Sequence, residues 1–280
     1  MTTSRIRIAF IGGGNIARSL IAGLIADGHE PNALYVVEPD DTKRGQLVTQ
    51  FGIIALETSA DAVTSVEVVA LCVKPLIAPV ICREFAPALL ATNAQPLFIS
   101  VMAGVTEASI DRWIGRPVAL VRAMPNTPSM IQSGAIGLHA NSLVNHYQRN
   151  LAEEILRAGG LTRWVENEVD IDTVTALSGS GPAYFLLLME ALEQVGIAHG
   201  LAPETARLLT IQTALGAARM AFESDESPQQ LRARVTSPGG TTERAIGVFE
   251  AGGLMLLVSE AVTAARVRAA ELSQILAEVD

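Results

Sequence analysis

Lysine is nearly missing from this chain. Lys43 and Lys74 are the only two, and none follows Lys74. That excludes chemistry that needs a helix-borne lysine base in the second half, as oxidation of a β-hydroxy acid would. No run of Lys and Arg occurs, and the net charge is −9. Nucleic-acid binding, which needs clustered cations against phosphate, is excluded on the same ground. Cysteine is scarce too: Cys72 and Cys82 show no metal or redox spacing and sit in apolar surroundings, so they read as buried free thiols. His29, His139, His146 and His199 are scattered, which gives no zinc site, and they read as surface or loop residues. The longest late apolar run, Ala183 to Met189, is too short for a bilayer and ends at Glu190. Arg5 and Arg7 before Ile8 to Ile11 loosely imitate a secretion signal, but three glycines, Asn15 and Arg18 interrupt it. The expectation is a soluble cytoplasmic protein.

What the chain does have is apolar bulk: 49% hydrophobic residues against 18% charged over 280 residues. That length favours two domains, expected at 1–167 and 168–280. The first half alternates apolar strand-like runs with amphipathic segments. Strands are expected at Arg7 to Ile11, Leu34 to Val37, Val66 to Val73, Leu97 to Val101 and Val118 to Arg122. Helices are expected at Asn15 to Asp27, Asp41 to Phe51, Ala78 to Leu90, Thr106 to Ile114 and His146 to Gly159. This alternation implies an α/β Rossmann-type domain with a mainly parallel sheet. After Asp170 the strand signal ends. Helices are expected at Pro182 to Val195, Pro203 to Ser224, Glu243 to Glu250 and Leu254 to Val279, giving an all-α C-terminal domain. Leu208 to Ala218 and Leu254 to Val262 are apolar nearly all round, which predicts burial on every side. A domain this small has little interior for them, so two copies should share one helical core.

The chemistry starts at Gly12-Gly13-Gly14-Asn15-Ile16-Ala17, a G-x-G-x-x-A fingerprint between a strand and a helix. Gly12 permits the turn, Gly14 admits a pyrophosphate and Ala17 lets the helix pack on the sheet. Glu38 ends the second strand, where an acidic side chain hydrogen-bonds an adenosine ribose and favours NAD. Lys43 and Arg44 follow it and offer charge to a 2′-phosphate, so the two signals conflict. Lys74 ends the third strand, in the layer where open parallel sheets bind ligands. Late in the chain, Ser237-Pro238-Gly239-Gly240-Thr241-Thr242 precedes a helix. Such a turn aims backbone N–H groups and hydroxyls at one spot and suits a small anion.

Two further segments stand out: Arg122-Ala123-Met124-Pro125-Asn126-Thr127-Pro128, and Leu177-Ser178-Gly179-Ser180-Gly181-Pro182-Ala183-Tyr184. Their residues read first as a rigid turn and a helix-entry turn. In order with the fingerprint, Val73-Lys74-Pro75 and Ser237 to Thr242, they resemble the pyrroline-5-carboxylate reductases, from about Ile8 to Leu272.

The resemblance implies a Rossmann domain followed by a helical dimerisation domain, and reduction of 1-pyrroline-5-carboxylate to L-proline. It implies NADPH or NADH as hydride donor, with NADPH commonly preferred. It also implies a homodimer with interlocked C-terminal helices, which in family members often assembles into a decamer of five dimers. Ile11, Gly12, Gly13, Gly14, Asn15 and Ile16 would wrap the pyrophosphate, and Glu38 would lie by the ribose. Cys72, Val73, Lys74, Pro75, Val101, Met102 and Ala103 would line the cofactor groove. Ser237, Gly240, Thr241 and Thr242 would bind the pyrroline carboxylate, with Thr242, the catalytic candidate, facing the ring nitrogen. Ser59 stands where the family commonly has an adenosine-contacting asparagine, and Met102-Ala103-Gly104 stands where it has Ala-Ala-Gly. Two rivals are another Rossmann oxidoreductase acting on a different imine and a non-catalytic NADP-sensing regulator, which would not need Ser237 to Thr242.

Overall fold

The computed structural model describes residues 5–92 and 94–279, so the expected outer limits at 1 and 280 fall outside it. Described residues up to Ser180, with those from Ala265 onward, form one compact unit, and Gly181–Ala264 forms the other. In the first unit, β1 (Ile8–Ile11), β2 (Leu34–Val37), β3 (Ile54–Ala55), β4 (Val68–Leu71), β5 (Leu97–Ser100) and β6 (Leu120–Met124) are parallel. Then β7 (Gly134–Ala140) runs antiparallel to β6, and β8 (Gly160–Trp164) parallel to β7. The order across the sheet is β3-β2-β1-β4-β5-β6-β7-β8.

Connecting the strands are α1 (Asn15–Ala26), α2 (Asp41–Phe51), α3 (Ser59–Ser65), α4 (Ala78–Ala91), α5 (Glu107–Ile114) and α6 (His146–Arg157). Side chains alternate across the pleat. Ile8 and Phe10 pack with Leu20, Ile21 and Leu24 of α1, Leu47 of α2 and Ile155 of α6. Ala9 and Ile11 pack on the other face with Val63 of α3, Phe85 of α4 and Trp113 of α5. The central strands are buried on both faces, which is why they read as unbroken apolar runs. Local signals end the helices as expected. Asp40 caps α2 by accepting from the Lys43 N–H at 3.0 Å, and Gly52 closes it in the left-handed region at φ +68°.

Several elements escaped the sequence pattern. The strand β7 reads Gly-Ala-Ile-Gly-Leu-His-Ala, which has little β propensity; pairing with β6 and β8 makes it a strand. The elements β3, β8 and α3 are short. Another, α10 (Pro228–Arg234), carried a readable sign: Ser227 and Gln230 form a capping box, and Pro228 opens the helix.

The remaining helices are α7 (Asp170–Val174), α8 (Gly181–Ala198), α9 (Pro203–Phe222), α11 (Thr241–Ala251) and α12 (Leu254–Ala277). The helix-entry turn expected at Gly179 to Pro182 is present: Gly179 ends a π-helical turn, Thr175–Gly179, that continues α7, Ser180 bends the chain, and Gly181 and Pro182 open α8. The Ser180 N–H reaches back to the Thr175 carbonyl at 2.9 Å, the wide spacing of a π-bulge. Among the described residues no single helix is long and apolar enough to cross a membrane; α11 and α12 together bend by 53°.

Burial in the single chain leaves one expectation to a second copy and corrects another. The helices expected to be covered on every side are bare in the single chain: Met255 of α12 is 81% exposed, and Leu208 and Leu209 of α9 are also exposed. Neither are all four histidines surface or loop residues. His29 is buried with Nε2 2.9 Å from the Ile6 carbonyl oxygen, and burial lowers its pKa. His139 lies on β7, paired with Arg122.

Both cysteines are free. Cys82 is 1% exposed, Cys72 is half-buried, and burial pushes both thiols up to about 12. At pH 8 a thiol of pKa about 12 is ionised only to about one part in ten thousand. Iodoacetamide should therefore leave Cys82 unmodified in the folded protein and label it fully in denaturant, as read by intact mass. Rapid labelling of Cys82 in the folded state would contradict this burial.

Candidate functional site

The carboxyl ends of β2, β1, β4 and β5 stand side by side. Ile11 is paired with Val37 on one side and Leu71 on the other, and Leu71 with Ser100. Backbone bonds continue past the strand ends, from the Gly12 N–H to the Val37 carbonyl at 2.8 Å and from the Cys72 N–H to the Ile11 carbonyl at 2.9 Å. The chain leaves β1 toward β2 and β3, then returns to pair β4 on the other side of β1. This reversal opens a crevice beyond β1 and β4, the general ligand position in open parallel sheets.

Gly12 turns the chain there with φ +99°, and a Cβ on it would lie 2.9 Å from the Cys72 carbonyl oxygen. Only glycine fits. Gly14 is the N-cap of α1 and supplies no side-chain cap, and the first turn holds no acidic residue. Nothing lies within 4 Å of a Cβ built on Gly14. Asn15 and Ile16 thus begin a helix whose positive end faces open space, a seat for phosphate. The fingerprint fits the pyrophosphate of a dinucleotide.

Cys72 and Val73 follow β4 half-buried, Lys74 is exposed, and Pro75 opens a short 3-10 turn, Pro75–Ile77. After β5, Val101 is half-buried, Met102 buried and Ala103 exposed. The Val101 N–H donates to the Leu71 carbonyl at 3.2 Å, which holds both segments in one layer. Ser59 begins α3; it is buried, and its hydroxyl donates to Glu84 Oε1 at 3.0 Å.

Glu38 directly follows β2. Its Oε2 accepts from the Gly13 N–H at 2.9 Å and its Oε1 from the Asp40 N–H at 3.1 Å. Arg44 donates to the Glu38 carbonyl at 2.8 Å and to Asp41 Oδ1 at 2.5 Å, and Lys43 Nζ lies 3.8 Å from Asp40.

Two supports were not foreseen. Arg122 on β6 is buried, and its Nη1 meets Glu168 Oε1 at 2.7 Å. The same oxygen accepts from the Glu107 N–H at 2.7 Å, which ties β6, α5 and the segment before α7 together. Burial raises the pKa of the surrounding Glu107, Asp111 and Asp172 carboxyls, and the Glu168 charge adds to it. The arginine inside an apolar run was the available signal, because a buried charge needs a partner. Asn126 is the second support. Its Oδ1 accepts from the Ala135 N–H at 3.0 Å and its Nδ2 donates to the Ser178 carbonyl at 2.9 Å. The rigid turn read from Pro125 to Pro128 is pinned by this amide.

In the helical unit, the turn from Ser237 to Gly240 exposes Ser237, Pro238 and Gly239, leaves Gly240 half-buried, and holds Gly239 at φ +72°. The Gly240 N–H is spent on the Ser237 carbonyl at 3.0 Å, and the Gly239 N–H donates to Glu243 Oε2 at 2.8 Å. Gly240 caps α11 without a side chain, so Thr241 and Thr242 start the helix with their N–H groups uncapped and their side chains exposed. The turn already holds one carboxylate, that of Glu243.

Residues 168–272 match the family model for pyrroline-5-carboxylate reductase dimerisation, and residues 7–104 match one described as NADP oxidoreductase, coenzyme F420-dependent. A pyrroline-5-carboxylate reductase of Pseudomonas aeruginosa is 47% identical over 97% of this chain and 98% of its own. One from Vibrio alginolyticus is 39% identical over 96% of this chain and 98% of its own. A solved pyrroline-5-carboxylate reductase from Coxiella burnetii superposes with a TM-score of 0.92 at 47% identity, covering 96% of this chain and 98% of that one. One from Plasmodium falciparum, with NADP bound, reaches 0.81 at 26% identity over 96% and 99%.

Gly12→Ala should weaken NAD(P)H binding by more than about tenfold, because it forces strain of about 1–3 kcal/mol into the turn under the pyrophosphate. Fluorescence titration of the reduced dinucleotide checks this. Unchanged affinity would remove Gly12 from the site.

Proposed function

The chain belongs to the pyrroline-5-carboxylate reductases, and from that premise we propose how its own residues carry the reduction of 1-pyrroline-5-carboxylate to L-proline with NAD(P)H. The single observation that carries the residue assignment is the uncapped start of α11 after the Ser237 to Gly240 turn. A carboxylate there gains the N–H groups of Thr241 and Thr242, the helix dipole and nearby hydroxyls, with no arginine clamp. Glu243 makes one such contact already, on Gly239. Ser237 and Gly240 shape the turn, and Ser237 offers a hydroxyl.

The dinucleotide, when bound, supplies the hydride. Its proposed groove is Ile11 to Ile16, Glu38, Ser59, Cys72 to Pro75 and Val101 to Ala103. Residues 1–167 are assigned to that role and 168–280 to substrate binding and dimerisation, in line with the family match over 168–272. Holding carboxylate and ring nitrogen in a fixed pose supplies much of the rate. The Thr242 hydroxyl is far too weak an acid to surrender its proton outright. It donates a hydrogen bond to the ring nitrogen, or relays a proton that solvent replaces. A substrate that arrives protonated needs Thr242 only for orientation.

The protein dimerises, and the reading extends this to interlocked helices from two copies and to a decamer of five dimers. The exposed Leu208, Leu209, Met255 and Leu256 support a shared core, since burying each contributes about 1.5–3 kcal/mol. Two free thiols, one buried and one half-buried, and an acidic charge are in keeping with a cytoplasmic location.

NAD(P)H absorbance should fall on adding 1-pyrroline-5-carboxylate; no loss with either dinucleotide would overturn the assignment. Thr242→Ala should lower turnover by about a hundredfold or more while NAD(P)H binding stays intact. Unchanged turnover would take Thr242 out of the mechanism. Light scattering should give at least twice the mass of one chain at micromolar concentration, and a stable folded monomer would refute the shared core.

A further inference from the structure

We propose that Glu38 sets the dinucleotide preference of this enzyme and turns it toward NADH. The inference rests on the dinucleotide groove assigned above and deepens it by naming which dinucleotide the groove takes. In a Rossmann unit the adenosine ribose lies just beyond the second strand, beside the fingerprint turn. Glu38 is the first residue after β2, and its carboxylate sits 2.9 Å from the Gly13 nitrogen. A Cβ built on Gly13 would come within 3.2 Å of Glu38 Oε2, so the carboxylate rests directly against the middle glycine of the turn.

Two backbone donors, the N–H groups of Gly13 and Asp40, hold this carboxylate in place. It cannot swing away from an unwelcome neighbour without losing both. An ionised carboxylate has about four acceptor sites, so it can still accept from ribose hydroxyls. NADH offers those hydroxyls. NADPH instead brings a 2′-phosphate of about −1.5 to −2 charge, with no donor to give.

The cations that could offset that charge are engaged. Arg44 spans Asp41 and the Glu38 carbonyl, and Lys43 lies near Asp40. Arg18, on α1, donates to Gln50 at 2.8 Å. From Glu38 to Arg44, three carboxylates face two cations. Exposed ion pairs of this kind hold weakly, so Asp40 and Asp41 alone would not forbid a phosphate. The fixed carboxylate of Glu38 does, because it is half-buried and close to the site.

The test is a fluorescence titration of the full-length protein with NADH and with NADPH, without substrate. NADH should bind at least about tenfold tighter. Glu38→Gln, which removes the charge and puts an amide NH2 in place of one of the two anchoring oxygens, should raise the affinity for NADPH relative to NADH by about tenfold or more. Equal or tighter NADPH binding by the native protein, or a Gln variant that shifts both dinucleotides alike, would overturn the proposal. Should the variant fail to fold, displacement of NADH from the native protein by ADP-ribose and by its 2′-phosphorylated form decides it: the phosphorylated form must compete at least about tenfold worse. Turnover of 1-pyrroline-5-carboxylate is measured separately, so a failed reductase assignment and a failed Glu38 assignment give different results.

Discussion

A shared register of backbone hydrogen bonds holds the ends of β2, β1, β4 and β5 in one plane, and the crevice proposed for the cofactor depends on it. The bonds from Gly12 to Val37 and from Cys72 to Ile11 carry that register one residue past the strands. They press the Cys72 carbonyl against Gly12, and the turn survives because no Cβ is there. Moving any of these strands by one residue would exchange the two buried faces of the sheet, so the packing of α1 on one side and α4 on the other guards the same geometry. The buried Arg122–Glu168 pair ties α5 to β6 in the same unit. Removing Glu168 would leave the buried Arg122 guanidinium without its ion-pair partner, which is costly.

The helical unit obeys a different constraint. Its helices carry more apolar surface than one chain covers, as the exposure of Met255, Leu256 and Leu257 shows. Such a patch on a soluble domain marks an association surface. Dimerisation is therefore part of how this sequence satisfies its own hydrophobic pattern, and the unit cannot be understood as a free-standing fold.

Much of the architecture was legible because short-range rules and burial agreed. Gly52 after α2, Thr106 before α5 and the four-residue apolar strands fell where local chemistry put them. The elements that escaped are those where local preference is weak and a distant partner decides. The two glycines of β7 give no strand signal, yet β6 and β8 bracket it. The π-helical turn at Thr175–Gly179 depends on wider i→i+5 hydrogen bonding that no residue pattern announces. At the candidate sites, the fingerprint and the Ser237 to Thr242 turn could be found by residue type. Their internal bonding could not: the Gly240 N–H, counted from sequence as a substrate donor, is already engaged by Ser237.

By itself the sequence determined the class of the fold, the family and the two loops where ligands are expected. Those depend on periodicity, on glycines that no other residue can replace, and on motif order along one chain. The tertiary structure decided how competing side chains are used. Sequence offered Glu38 against Lys43 and Arg44 with no way to choose. In the fold Glu38 is bound to Gly13 and Asp40, while Arg44 is drawn to Asp41 and Lys43 to Asp40. Which of these charges is tied up and by what is a matter of ångströms between residues of two loops, and only the packed sheet that brings β1 beside β2 sets those distances.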